Sequence, residues 1–226
     1  VAYTAQQSFE FDAAVANYRT LVDSSRFARS SQARIQNYRR DALINTADLF
    51  LKLQRYREAT QYYEEIIASP AANATLKREA QYAIAEIAYK QQSWSNTIRR
   101  MRSFIDRYRN DAEAGELVVQ AHWRIAEARK ALRQTRDYRG ALQDVVSAFG
   151  RSGQPAGSYA AEFAAHAQFL LTDENIEEFE DFAIEPGRPS SLEEYVNTVA
   201  QQISAGEAEA ARFAEGYASV LQFGRP

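Results

Sequence analysis

An all-α chain of stacked helix pairs, a solenoid closed by a helical cap, is the fold class this sequence predicts. Three observations carry the prediction. Only 9 Gly and 5 Pro occur among 226 residues, so turn signals are sparse and long helices are favoured over many short strands. A helix face of fixed spacing recurs four times between residues 11 and 148. Near the end, a row of apolar and small residues in steps of four and three marks one long helix. Composition agrees: 46% hydrophobic and 25% charged residues, with 12 Phe and 13 Tyr, are enough to build a core without staples and exclude a disordered chain. No run of 18 apolar residues occurs, and there are no cysteines, which excludes a disulfide framework, a thiol nucleophile and any Cys-ligated metal.

The recurring face consists of an aromatic, a small residue at +3, a large apolar residue at +7 and an apolar residue at +10. It reads Phe11-Ala14-Tyr18-Leu21, Tyr56-Ala59-Tyr63-Ile66, Trp94-Thr97-Met101-Phe104 and Tyr138-Ala141-Val145-Ala148. These offsets fall on one side of an α-helix. A second helical segment precedes each aromatic and carries its own small residue. Ala2, Ala47 and Ala85 lie nine positions upstream, and Ala126 lies twelve upstream, which predicts a fourth turn about three residues longer. Small residues are required where paired backbones approach, and bulky ones where the gap between helices is filled.

This two-helix unit resembles the tetratricopeptide repeat. The best copy spans residues 40–70, where Ala47, Phe50, Tyr56, Ala59, Tyr63, Ile66 and Pro70 fall at or beside the family's expected places. The copy at 78–109 keeps Ala85, Trp94 and Phe104, with Thr97 where Ala is usual and Ala88 where an aromatic is usual. Successive aromatics are 45, 38 and 44 residues apart, against about 34 in the family. The excess is assigned to longer helices and connectors, such as 69–75 and the extended segment 24–54. The resemblance covers residues 1–150, about four divergent repeats with the first truncated, and implies a right-handed α-solenoid.

Residues 151–226 form a separate, acidic helical segment that caps or continues the solenoid. The stretch 150–157, rich in Gly and Pro, is the connector. An Ala-rich helix follows from about Ser158 to Leu171, and Asp173 or Glu174 opens a short acidic helix ending near Ile184. The breaker Glu185-Pro186-Gly187-Arg188-Pro189 comes next, and Ser191 with Glu194 forms a capping box. The seam then runs Leu192, Val196, Val199, Ile203, Gly206, Ala210, Phe213, Tyr217, Val220, a helix of about 30 residues. A cap lying along the last repeats is the preferred reading, with Gly206 and Ala210 at a close backbone approach. A coiled coil that makes a homo-oligomer through residues 191–222, and continuation into further repeats, are the alternatives.

The net charge of −3 conceals an asymmetry, +6 over residues 1–150 and −9 over residues 151–226. Four of the 27 basic residues are Lys and the rest Arg, which reads as genomic codon bias rather than phosphate binding. The acidic stretch 173–185 lacks a calcium-loop arrangement and reads as a solvated helix face. Arg99, Arg100, Arg102, Arg107 and Arg109 spread around a helix that Met101, Phe104 and Ile105 anchor, so no nucleic-acid footprint is expected. His122 and His166, the only histidines, lack metal spacing, and no phosphate-binding glycine motif occurs. No metal, no cofactor and no catalytic residue are expected, and the protein is read as not an enzyme.

What remains is a protein-binding surface. The resemblance implies that the first helix of each pair lines a concave groove for an extended peptide or partner helix. The groove candidates are Asn45, Asp48, Leu51 and Lys52 in one repeat, and Glu79, Tyr82, Glu86 and Tyr89 in the next. The family's carboxylate clamp is not expected, because Glu79, Tyr82 and Glu86 stand where cations are needed. Tyr82 and Tyr89 are either aromatic anchors or shields for the next helix pair. The expected function is a non-catalytic interaction scaffold with a protein or peptide partner. Its Arg- and Ala-rich, lengthened repeats look similar to those of bacterial cell-envelope repeat proteins, which implies the periplasm; a cytoplasmic location is the alternative. A second expectation is the helical accessory region of a larger, for example cell-wall-active, enzyme. The chain opens on Val1 without an initiator Met, as a mature product or a piece of a longer protein does.

Overall fold

Helices are the only regular elements in the computed structural model among its described residues, which are 2–8, 10–174, 176, 183–185 and 187–224. The chain separates into two compact units, Val1–Tyr108 and Arg109–Pro226. Sequence composition changes character at residue 150, but the compact units divide at Tyr108/Arg109. The fourth helix pair therefore belongs with the C-terminal helices.

The first unit contains α1 (Ala2–Gln7), α2 (Phe11–Val22), the short α3 (Ser25–Ala28), α4 (Ala33–Lys52), α5 (Tyr56–Ala68), α6 (Ala74–Lys90) and α7 (Trp94–Tyr108). Packing follows chain order: α1 on α2, α2 on α4, α4 on α5, α5 on α6, α6 on α7. Ala14, Ala47 and Ala59 are completely buried at the crossings, and Leu43, Leu49, Phe50 and Ile66 fill the space between helices. The small residue on each helix is thus where two backbones meet, and the bulky ones flank it. Asn73 caps α6, its side chain accepting a hydrogen bond from the Leu76 N–H at 2.8 Å.

The second unit contains α8 (Gly115–Ala131), α9 (Thr135–Ser152), α10 (Tyr159–Asp173) and α11 (Leu192–Val220). α8 packs closely on α9, and α10 lies against both. Trp123 of α8 is nearly buried, with the Phe163 and His166 rings of α10 at centroid distances of 5.7 and 4.8 Å. This contact explains why the fourth pair groups with the tail rather than with the first unit.

The turns inside the pairs are the most regular feature of the chain. α4–α5, α6–α7 and α8–α9 are each joined by three residues, and the middle one is left-handed: Gln54 (φ 57°), Gln92 (φ 55°) and Arg133 (φ 56°). The same two hydrogen bonds close each turn. Arg55 N–H reaches the Phe50 carbonyl (2.8 Å) and Gln54 N–H that of Leu51 (3.1 Å). Ser93 and Gln92 repeat this onto Ala88 and Tyr89, and Gln134 and Arg133 onto Arg129 and Lys130. These are three Schellman caps with an L-residue where glycine is usual.

Equal turns correct the expected register of the fourth pair. Thr135, not Tyr138, occupies the first position of α9, equivalent to Tyr56 and Trp94. Ala126 then lies nine residues upstream, as Ala47 and Ala85 do, and the three residues expected in a longer turn form the first turn of α9. Leu142 and Val145, 2% and 0% exposed, fill the +7 and +10 places. Tyr138 is half-buried instead, beneath the Lys130 ammonium.

The tail departs from expectation in two places. Ser158 caps α10 as its side chain accepts from the Ala161 N–H (3.2 Å), but the helix runs to Asp173 rather than stopping at Leu171. Asp173 therefore closes α10 instead of opening the next helix, and its carboxylate accepts a hydrogen bond from the Tyr217 hydroxyl at 2.8 Å. The acidic helix expected to reach Ile184 lies mostly outside the described residues, and 183–185 are not helical. The capping box forms in a shifted version: Ser191 Oγ accepts from the Glu194 N–H, while the Glu194 carboxylate accepts from the N–H of Ser190, one residue before the cap.

The long helix α11 has 29 residues, but only its C-terminal part is packed. Phe213 is buried, the Tyr217 ring lies 5.9 Å from Phe169, and Phe223 beyond the helix packs edge-on against Phe149. The close approach falls at Gly216, where a Cβ would stand 2.6 Å from Thr172 Cγ2. It does not fall at Gly206 or Ala210, which are half-buried and exposed. Leu192, Val196 and Ile203, in the N-terminal half of the seam, are exposed.

The turn geometry has a measurable consequence. A left-handed L-residue costs roughly 1–2 kcal/mol, and glycine returns part of that gain through its looser unfolded chain, roughly 0.5–1 kcal/mol. Gln54→Gly, Gln92→Gly and Arg133→Gly should each raise stability by about 0.5–1 kcal/mol in urea denaturation. Gln61→Gly, inside α5, should lower it by about 1 kcal/mol. Equal losses at all four positions would contradict the cap assignment.

Candidate binding surfaces of the first unit

The expected groove residues fall into two rows, one per helix. Asn45, Asp48 and Lys52 lie at i, i+3 and i+7 of α4, and Glu79, Tyr82, Glu86 and Tyr89 at i, i+3, i+7 and i+10 of α6, so each row shares a helix face. The rows sit on different helices, both of which pack on α5.

Within the α4 row, only Lys52 is exposed. The Asn45 amide donates to the Asp41 carbonyl of its own helix (2.8 Å). The Asp48 carboxylate accepts a hydrogen bond from the buried Tyr63 hydroxyl of α5 at 2.7 Å. Burial, and then the hydrogen bond and charge of Asp48, push the Tyr63 phenol far above its ordinary value. Asp48 thus ties the two helices of the pair together. Within the α6 row Glu79 is exposed, while Tyr82, Glu86 and Tyr89 are half-buried. The Tyr82 ring meets Phe104 of α7 edge-on at 5.4 Å, and its hydroxyl donates to Glu86. Tyr89 meets Trp94 edge-on at 5.7 Å. Both tyrosines pack across their own helix pair.

Two clefts open in this unit at places the sequence reading did not select. One, of about 360 Å³, lies between α5 and α6 and is lined by Tyr56, Gln61, Glu64, Ile87 and Gln91. The other, of about 230 Å³, lies between α6 and α7. Its walls carry Arg99, Arg100, Ser103 and Arg107, over Phe104 and Ile84. The sequence signal was present: Arg99, Ser103 and Arg107 are spaced i, i+4, i+8 on one face of α7. In the second unit a cleft of about 230 Å³ also holds two arginines, Arg139 and Arg212, but each is paired with a carboxylate, Glu174 and Glu209.

No cluster of three or more His, Asp or Glu side chains suited to a metal occurs among the described residues. His122 is half-buried on α8, where desolvation holds its pKa below the usual histidine value. His166 stacks against Trp123. No helix among the described residues is long and apolar enough to cross a membrane.

Comparison with known families agrees with the helix-pair architecture. The family model of the tetratricopeptide repeat matches residues 41–70, which are the C-terminal part of α4, the turn at Gln54 and the whole of α5. That stretch is similar to a tetratricopeptide repeat, and the pairs α6–α7 and α8–α9 repeat its three-residue turn. No curated protein matches the chain.

The Asp48–Tyr63 bond is testable by pH. The phenol's folded pKa is raised above its unfolded value near 10, so its stabilising effect is complete below pH 10 and is lost as pH rises toward the folded pKa. Tyr63→Phe should cost about 1 kcal/mol at neutral pH. It should also lose stability less steeply than the parent above pH 10, as followed by circular dichroism. Parallel alkaline curves would show that Tyr63 does not ionise differently on folding.

Proposed function

We propose that this protein is a non-catalytic scaffold that holds a partner protein or peptide against the first helices of its repeat pairs, and that it works in a bacterial envelope complex, in the periplasm. The observation that carries the reading is the tetratricopeptide repeat at residues 41–70, a class of repeat that typically serves protein interaction. The exposed Lys52 and Glu79 and the half-buried Asn45, Tyr82, Glu86 and Tyr89 supply the polar and aromatic groups of such a surface. Asp48 contributes indirectly, by holding α5 to α4 through Tyr63. The Arg- and Ala-rich, lengthened repeats support the envelope placement by resemblance alone.

Affinity capture from the source organism, with the wild type beside Tyr82→Ala/Glu86→Lys, tests the reading. A partner retained by the wild type and depleted about tenfold or more by the double variant is the expected result. Because Tyr82 packs on Phe104, unchanged helicity of the variant is checked first. A partner captured equally by both proteins would remove the α6 face from the interface. A wild type that captures nothing would overturn the scaffold reading and favour a helical accessory region of a larger enzyme.

A further inference from the structure

We infer that the cleft between α6 and α7 is a second peptide site, one that receives an acidic segment of a partner protein carrying an apolar side chain. The inference rests on the scaffold reading and names the chemistry of a partner.

The argument begins with unmatched charge. Arg99, Arg100 and Arg107 surround the cleft, and no Asp or Glu lines it. Four other arginines of the unit pair with carboxylates: Arg19 with Asp23, Arg39 with Glu65, Arg40 with Asp41 and Arg55 with Glu58. In the cleft, Arg99 donates to the neutral Asn96 Oδ1 at 2.6 Å, and Arg107 lies over the Tyr108 ring at 5.6 Å. Guanidinium groups are planar forks suited to carboxylates, and three around one concavity supply more donors than one carboxylate accepts. The ligand is therefore anionic, with more than one acidic group.

The floor adds the second requirement. Phe104 and Ile84 present carbon to the cleft, with the Ser103 hydroxyl beside them. The Tyr108 hydroxyl donates to Gln81 Oε1 at 2.7 Å, bracing the α6 wall against α7. At about 230 Å³ the cleft is smaller than the roughly 300–1,000 Å³ that encloses a whole small molecule, and suits one or two side chains of a longer segment. A nucleic acid fits poorly. Single strands bind by stacking bases on open aromatic faces, whereas Phe104 is 4% exposed, with Tyr82 and Tyr108 rings at 5.4 and 4.8 Å.

Fluorescence anisotropy with the purified full chain tests the site. The probe is a short labelled peptide in which Glu alternates with Leu. Comparison probes replace every Glu by Gln or every Leu by Ser, and a single-stranded RNA of mixed sequence is run beside them. The wild type should bind the Glu/Leu peptide, and both substituted peptides should bind about tenfold more weakly or worse. Arg99→Glu/Arg100→Glu/Arg107→Glu should abolish binding, while Arg102→Glu, an exposed residue of the same helix outside the cleft, should stay within about twofold. Arg107→Gln alone should weaken binding severalfold and keeps the test open if the triple variant misfolds. Absence of binding by the wild type, equal binding of the Gln peptide, tighter binding of the RNA, or an unaffected triple variant would each overturn the inference. Because this assay needs no native partner, its failure is separate from that of the α6-face reading, which is scored by capture through Tyr82 and Glu86.

Discussion

Two helix backbones held at close range by buried alanines, and reversed by a three-residue turn, are the constraint on which both units depend. Ala47, Ala85 and Ala126 sit nine residues ahead of the first residue of the following helix, and are 0%, 3% and 0% exposed. A larger residue there would push the pair apart, because the three-residue turn leaves the chain no slack to widen the crossing. With the crossing fixed, the outer positions of each second helix are committed: Tyr63, Met101 and Leu142 at +7, and Ile66, Phe104 and Val145 at +10, are all buried. The fold is in this sense one packing solution repeated, with side-chain volume traded from pair to pair.

The same constraint allots the polar surface. Once the small and bulky positions are spent on packing, the polar residues that remain lie in rows at three- and four-residue spacing, and the neighbouring helix decides which of them are available. Asp48 is drawn into the core of its pair by Tyr63. Tyr82 and Tyr89 are half-covered by Phe104 and Trp94. Arg99, Arg100 and Arg107, by contrast, look onto a cleft without a carboxylate. The charge asymmetry is partly answered by ion pairs: Arg139 of the positive segment pairs with Glu174 of the acidic one, and Arg212 with Glu209 within the acidic one.

Much of the fold was legible in the chain, because helix pairs announce themselves by spacing. The helices around Ala47/Tyr56 and Ala85/Trp94, the 29-residue α11 and the cap at Ser191 follow directly from local pattern. The fourth pair was misregistered for a physical reason: Thr135 replaces the aromatic that marks the second helix elsewhere, and Tyr138 one turn later supplied a false match. The left-handed turns were invisible because Gln54, Gln92 and Arg133 do not advertise positive φ as glycine does. The end of α10 was missed because Asp173 reads as an N-terminal residue by charge, while its actual role is set by Tyr217, a residue 44 positions away. For the candidate surface, the spacing puts the residues in one row on α4 and one on α6, but it does not give their availability. Whether a tyrosine anchors a ligand or braces a helix depends on what the next helix places over it.

The central claim, that a small residue at one fixed distance before each turn sets every helix pair, is tested most directly by urea denaturation of Ala126→Leu. Ala126 belongs to the pair whose register the sequence pattern obscured, so it tests the crossing where spacing alone was least informative. A buried overpacked crossing predicts a loss of about 1–3 kcal/mol, matched by Ala47→Leu and Ala85→Leu. A neutral or stabilising Ala126→Leu would mean that the fourth pair does not close on this residue, and that the shared turn does not impose a shared crossing.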